Sequence, residues 1–198
     1  MHMVDRIRRW TIGDLHSLPD DGNKYELIRG QLFVTPPPTD AHETIGARLH
    51  RLLDPYVAAN GLGLIYRPRA VVRMPDDTEV EPDLMVRQPQ NEPDASWAGA
   101  PLPNLVVEIT SDSTRRRDRT HKRSLYAGAG IEQYWIVDEE ERTVRVVRPD
   151  SEDVTMRESL RWHPAGAVEP LVISVADIFG TVVIPSGARN PHRPGRGP

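Results

Sequence analysis

The chain has no cysteine, which rules out disulfides and thiolate zinc sites and makes a reducing compartment the expected setting. It has no run close to the ~20 apolar residues of a membrane span, so no membrane association is expected. The N-terminal stretch Met1 to Trp10 is charged and lacks the apolar centre of a secretory signal, which makes the expected location cytoplasmic. The seven histidines show no H-E-x-x-H spacing, and no phosphate loop of G-x-x-x-x-G-K type is present. His42, just inside a helix, reads as a local hydrogen-bonding residue. Nor is there an excess of positive charge. A net charge of −4 does not suit a nonspecific coat for nucleic acid, although it leaves room for a local basic groove.

Lysine is nearly absent as well. Of 25 Lys plus Arg, only Lys24 and Lys122 are lysines. A GC-rich genome would account for much of that bias. Even so, lysine is a compact point charge and arginine a planar, delocalised one, so Lys122 is a candidate for a position where arginine would not serve. The alternative is an ordinary solvated helix residue. Upstream lie Glu81-Pro82-Asp83 and the apolar run Leu105 to Ile109, which contains Glu108. Two carboxylates and a lysine are the residue types that a magnesium-dependent phosphodiesterase needs.

At 198 residues the chain suits one domain with a substantial core, expected over 1–185. The tail 186–198 has no core-forming residue and is expected to be disordered. Thr11 to Leu18 reads as a short helix, and Lys24 to Ile28 with Gln31 to Val34 as a hairpin around Arg29-Gly30. Asp40 as N-cap, with Glu43 completing a capping box, opens a helix that ends at Asn60-Gly61. Leu64 to Met74 and Val80 to Val86 read as paired strands, and Gln88 to Pro103 as a surface excursion. Leu105 to Thr110 is a strand, followed by a helix from the cap candidates Ser111 to Thr114 as far as Ala129. Gln133 to Val137 and Thr143 to Val147 form a second hairpin, and Val168 to Phe179 returns to the core.

Side chains alternate across a strand, so Leu105, Val107 and Ile109 share one face and Val106, Glu108 and Thr110 the other. An acid in that company costs several kcal/mol unless it finds a partner or a metal. Asp83 stands mid-strand by the same logic. On a wheel of 3.6 residues per turn, Asp118, Lys122, Leu125, Tyr126 and Ala129 share the inward face. Arg116, Arg119 and Arg123 flank it as candidate contacts to neighbouring phosphates, and Arg117 and Thr120 point further out. Asp118 is also an i,i+4 partner for Lys122, which leaves a purely structural use of this lysine open.

These residues carry a resemblance. The order of elements resembles the PD-(D/E)XK nuclease core, an α/β fold with a mixed central sheet flanked by helices, here preceded by an N-terminal helix and hairpin. More closely, the chain looks like the Uma-type restriction-endonuclease-like family. The matching segments are Lys24-Tyr25-Glu26-Leu27-Ile28-Arg29-Gly30-Gln31-Leu32, Glu81-Pro82-Asp83-Leu84, Val106-Val107-Glu108-Ile109, and Ser113 to Asp118 through Lys122, Tyr126 and Gly130 to Tyr134-Trp135-Ile136-Val137-Asp138. The resemblance implies a metal-dependent DNA endonuclease using Mg2+ or Mn2+. It implies Asp83 and Glu108 as metal ligands, Lys122 as the catalytic lysine moved from strand to helix, and Glu26 as an additional acid. The wider superfamily places its lysine two residues after the glutamate, where this chain has Thr110. Cutting both strands needs two sites, so a two-fold homodimer is expected. The alternative is a nuclease-fold protein that binds nucleic acid or a protein partner without cutting. Whether Lys122 reaches Glu108, or pairs only with Asp118, separates the two.

Overall fold

The computed structural model of the chain describes residues 8–92, 96–111 and 114–180. The expected tail 186–198, the end of the expected domain and the cap candidates Asp112 and Ser113 lie outside the described residues. A short helix α1 (Ile12–Leu15), capped by Thr11, leads into the hairpin β1 (Lys24–Ile28) and β2 (Gln31–Thr35). Arg29 and Gly30 both take positive φ, 49° and 78°, as a two-residue hairpin turn demands.

Helix α2 (Asp40–Ala59) follows. Its N-cap is Thr39, not Asp40, because the Thr39 hydroxyl accepts from the His42 N–H. The capping register therefore starts one residue earlier than expected, and Glu43 turns outward to Arg67 at 3.3 Å.

The two strands expected over Leu64 to Met74 and Val80 to Val86 are each broken. The first divides into β3 (Leu64–Tyr66) and β4 (Val72–Met74), the second into β5 (Thr78–Val80) and β6 (Leu84–Arg87). Pro68 and Pro82 stand in the breaks. Proline has no N–H for a ladder, so the pairing cannot run straight through. At each break the chain passes from one sheet to another. β4 and β5 join the hairpin in a four-stranded sheet ordered β2-β1-β5-β4. β3 and β6 join the central six-stranded sheet, whose order is β10 (Val154–Met156), β9 (Thr143–Val147), β8 (Gln133–Asp138), β7 (Leu105–Thr110), β6, β3.

The centre of that sheet is β7 (Leu105–Thr110), parallel to β8 (Gln133–Asp138) and antiparallel to β6. The β7–β8 crossover is helix α3, over 115–128, whose middle turn Asp118–Lys122 is π-helical. β9 (Thr143–Val147) and β10 (Val154–Met156) complete the sheet. A two-stranded sheet of β11 (Ser159–Trp162) and β12 (Leu171–Ser174) and the short α4 (Val175–Phe179) close the described chain.

The faces of the central sheet pack differently. Leu105, Val107, Ile109 and Trp135 meet Leu49 and Leu53 of α2, with Trp162, Ile173 and Ile178 behind them. Val106, Met85 and Ile136 face Leu125 and Tyr126 of α3 and Ile28, Val72 and Val80 of the smaller sheet. At one end of this second face the hydrocarbon gives way to charge.

Candidate active site

The site lies at the seam between the two sheets. β1 contributes Lys24 and Glu26 from alternate positions, hence from one face. The bend before β6 contributes Asp83, β7 contributes Glu108, the first turn of α2 contributes His42, and α3 contributes Arg117, Asp118 and Lys122. Asp83 therefore stands at the bend and not mid-strand, as the sequence had suggested.

Lys122 meets the carboxylates. Its Nζ lies 2.7 Å from Glu108 Oε1 and 2.8 Å from Glu26 Oε1, against 3.9 Å from Asp118 Oδ1. Tyr126 donates its hydroxyl proton to Glu108 Oε1 at 2.9 Å. Glu26 also accepts the Glu81 N–H at 3.0 Å and so holds the bend that presents Asp83. Asp83 Oδ2 accepts the Ile109 N–H at 2.8 Å, stitching the bend to β7. Its Oδ1 accepts from Lys24 at 3.1 Å, and His42 Nε2 lies 3.2 Å from Oδ2. Lys24 and His42 belong to the site although the sequence did not mark them for it. The signal for Lys24 was present, since it is the other lysine of the chain. The bend at Glu81 to Asp83 brings it within hydrogen-bonding reach of Asp83.

Glu26, Asp83, Glu108 and Asp118 are buried acids. Burial opposes the charge of Asp83, but Lys24 and His42 outweigh it and hold the carboxyl well below the usual range. The balance is similar at Glu26, where burial yields to Lys122, Lys24 and Arg117 and the pKa falls. Glu108 goes the other way. Burial pushes it up to about 7, against the pull of Lys122 and Lys24 and aided by the charges of Asp83 and Glu26. Burial likewise raises Asp118 beyond what Lys122 and Arg117 offset. Lys122 has no exposed surface, and burial opposes its charge, yet Glu108 and Glu26 raise its pKa, so it stays an ammonium.

Within this cluster four acids face three permanent cations, Lys24, Lys122 and Arg117. Glu108, raised to about 7, gives up its proton only near neutral pH, and a cation beside it would favour its charged form. Asp83 and Glu108 border a cleft of about 520 Å³, walled also by Lys24, His42, Arg117 and Asp118. The rim includes Pro36, Pro37, Pro38 and Pro68, whose fixed φ stiffens it. Among the described residues no three His, Asp or Glu side chains gather into a complete metal cage. Magnesium does not require one, because it is commonly held by one or two carboxylates plus substrate phosphates and keeps several waters. The two acids on the cleft wall fit that pattern.

The candidate DNA contacts are placed differently from the wheel. Arg119 lies 2.9 Å from Asp138 Oδ2, and Arg123 lies 2.8 Å from Asp153 Oδ1. Arg116 is exposed, and none of the three borders the cleft. Arg117, expected to point out, turns in, with its guanidinium 3.5 Å from Glu26 Oε2. The π-turn is the reason. The Arg123 N–H donates to Asp118 O, five residues back, and the extra residue in that turn carries Arg117 round to the inward face. Arg115 joins Arg119 on Asp138 and ties the start of α3 to the end of β8.

A mixed sheet with a helical crossover, carrying buried acids and a lysine at its seam, is a nuclease-like α/β fold. The chain belongs to the Uma2 family, whose model, described as "Putative restriction endonuclease", matches residues 12–176. A crystal structure of "a putative nuclease belonging to DUF820" from Anabaena variabilis ATCC 29413 has the same fold. Its TM-score is 0.72 at 22% sequence identity, over 85% of this chain and 97% of that one. None of the curated proteins matches the chain. Among the described residues no helix is long and apolar enough to cross a membrane.

Proposed function

We propose that the protein is a metal-dependent DNA endonuclease that hydrolyses phosphodiester bonds in the cleft at the sheet seam. The observation that carries this reading is the 2.7 Å approach of Lys122 to Glu108, with Glu26 at 2.8 Å. Buried ion pairs of this kind add little net stability and can lower it. Packing alone gives no reason to gather them beside a cleft, whereas phosphoryl chemistry does. The same contact favours cutting over binding alone, since Lys122 does not pair with Asp118 only.

Asp83 and Glu108 are the residues that would hold Mg2+ or Mn2+. Bound there, the ion would supply Lewis-acid stabilisation of phosphate charge and lower the pKa of its water. Lys122 and Tyr126 fix the Glu108 carboxylate, and Glu26 fixes the bend that carries Asp83. Arg117, on the cleft wall, offers a permanent positive charge to a phosphate. A two-fold homodimer would give the two sites that a double-strand cut needs.

The test is cleavage of supercoiled plasmid with Mg2+ or Mn2+ by wild type and by Asp83→Ala, with circular dichroism confirming that both are folded. Nicking and linearisation by the wild type, lost in Asp83→Ala, is the expected result. A folded wild type that cuts no DNA with any divalent metal overturns the reading.

A further inference from the structure

Both lysines of the chain end in the same site, and every other cationic side chain among the 25 Lys plus Arg is arginine. Their positions there differ. Lys122 has no exposed surface and does not border the cleft; its ammonium is enclosed between Glu108 and Glu26. Lys24 does border the cleft, and its side chain is 17% exposed. It donates to Glu81 O and to Asp83 Oδ1, both at 3.1 Å. An ammonium has three N–H donors. Among the described residues the third has no protein acceptor.

We propose that Lys24 is the lysine that touches substrate, giving its third N–H to a non-bridging oxygen of the phosphate held beside Asp83. Lys122 is then a positioning residue, an internal counter-charge that locks Glu108 and Glu26. The proposal rests on the nuclease reading and exchanges the roles that a lone catalytic lysine on α3 would have had. It also accounts for the choice of residue. A guanidinium is a wide planar fork, whereas an ammonium can sit against a backbone carbonyl and a carboxylate and still present one donor to a third oxygen. Asp83 and Glu81 O fix the amine before substrate arrives, which is the preorganisation that makes such a donor effective.

With only two lysines, a sample labelled with 15N-lysine gives two side-chain ammonium signals, and the Lys24→Arg spectrum assigns them. The probe is a short phosphorothioate DNA duplex, added to protein already saturated with Ca2+ so that only the duplex changes. The Lys24 signal should shift on binding and the Lys122 signal should stay in place. In kinetics with Mg2+, Lys24→Gln should lower kcat about 100-fold, the loss typical of one preorganised donor, with KM little changed. Lys24→Arg should not restore the rate. A duplex that binds and shifts Lys122 but not Lys24 overturns the assignment and leaves the nuclease reading standing, as does full activity in a folded Lys24→Gln. A wild type that neither binds nor cuts the duplex overturns both.

Discussion

The two faces of strand β7 do different work. On the α2 side, Leu105, Val107 and Ile109 enter continuous hydrocarbon, where each buried aliphatic side chain contributes about 1.5–3 kcal/mol. On the α3 side, Val106 is followed by Glu108 and Thr110, and the packing turns to ion pairs whose net contribution is near zero or unfavourable. The difference teaches that the alternation of one six-residue strand is enough to separate what holds the fold from what would perform the chemistry. The charged side is tolerated because the other side is dry and well packed.

That division can be broken most sharply from the charged side. Asp83→Asn keeps the shape and removes the charge that would hold a cation. Cleavage should fall about 1000-fold, since Lewis-acid stabilisation is worth several kcal/mol and each 1.36 kcal/mol is a factor of ten. Plasmid nicking rates check this, and retained activity with a collapsed melting temperature would reverse the division. Lys122→Met comes next. It leaves Glu26 and Glu108 without their shared ammonium and should destabilise the fold by about 3–5 kcal/mol in urea unfolding. Adding Glu108→Gln should recover part of that loss, because the two residues form one network.

On the apolar face, Val107→Ala should cost about 2–3 kcal/mol and leave cleavage per folded molecule unchanged. A rate loss there would mean that the faces are coupled. The smallest effect is with pH. The folded chain holds the Glu108 proton up to about pH 7, against an ordinary value of 4.5. Between those values the unfolded chain binds fewer protons, so this group makes stability fall as pH rises. Asp83 has the opposite sign. It is held below its ordinary 3.8, adds stability above that pH and loses it as pH falls. Urea melts of metal-free protein at about pH 5 and about pH 7.5 should show the downward slope, and Glu108→Gln should flatten it.

Much of this was legible in the sequence where the cause is local. The hairpin followed from Arg29-Gly30 between two strand-like runs, and the faces of β7 followed from alternation. The inward turn of Lys122 followed from the apolar residues beside it. What escaped depends on the chain folding back on itself. No period reveals that Pro82 ends one strand and sends the next into another sheet, yet that bend brings Lys24 to Asp83. A wheel of constant pitch cannot place Arg117 when the next turn is π-helical. The N-cap went to Thr39 because a hydroxyl one residue earlier reaches the same N–H groups. His42 looked like a local hydrogen-bonding residue, and its partner, Asp83, proved to be distant in the chain.

The scarcity of lysine has a further consequence. With Lys122 enclosed and Lys24 largely so, the folded chain offers amine-reactive reagents almost no lysine amine. A lysine-specific protease has two places to cut, and neither can enter its active site while β1 and α3 are in place. Proteolysis after Lys122 is therefore a gauge of how often α3 opens, read at the same residue that holds the acids together.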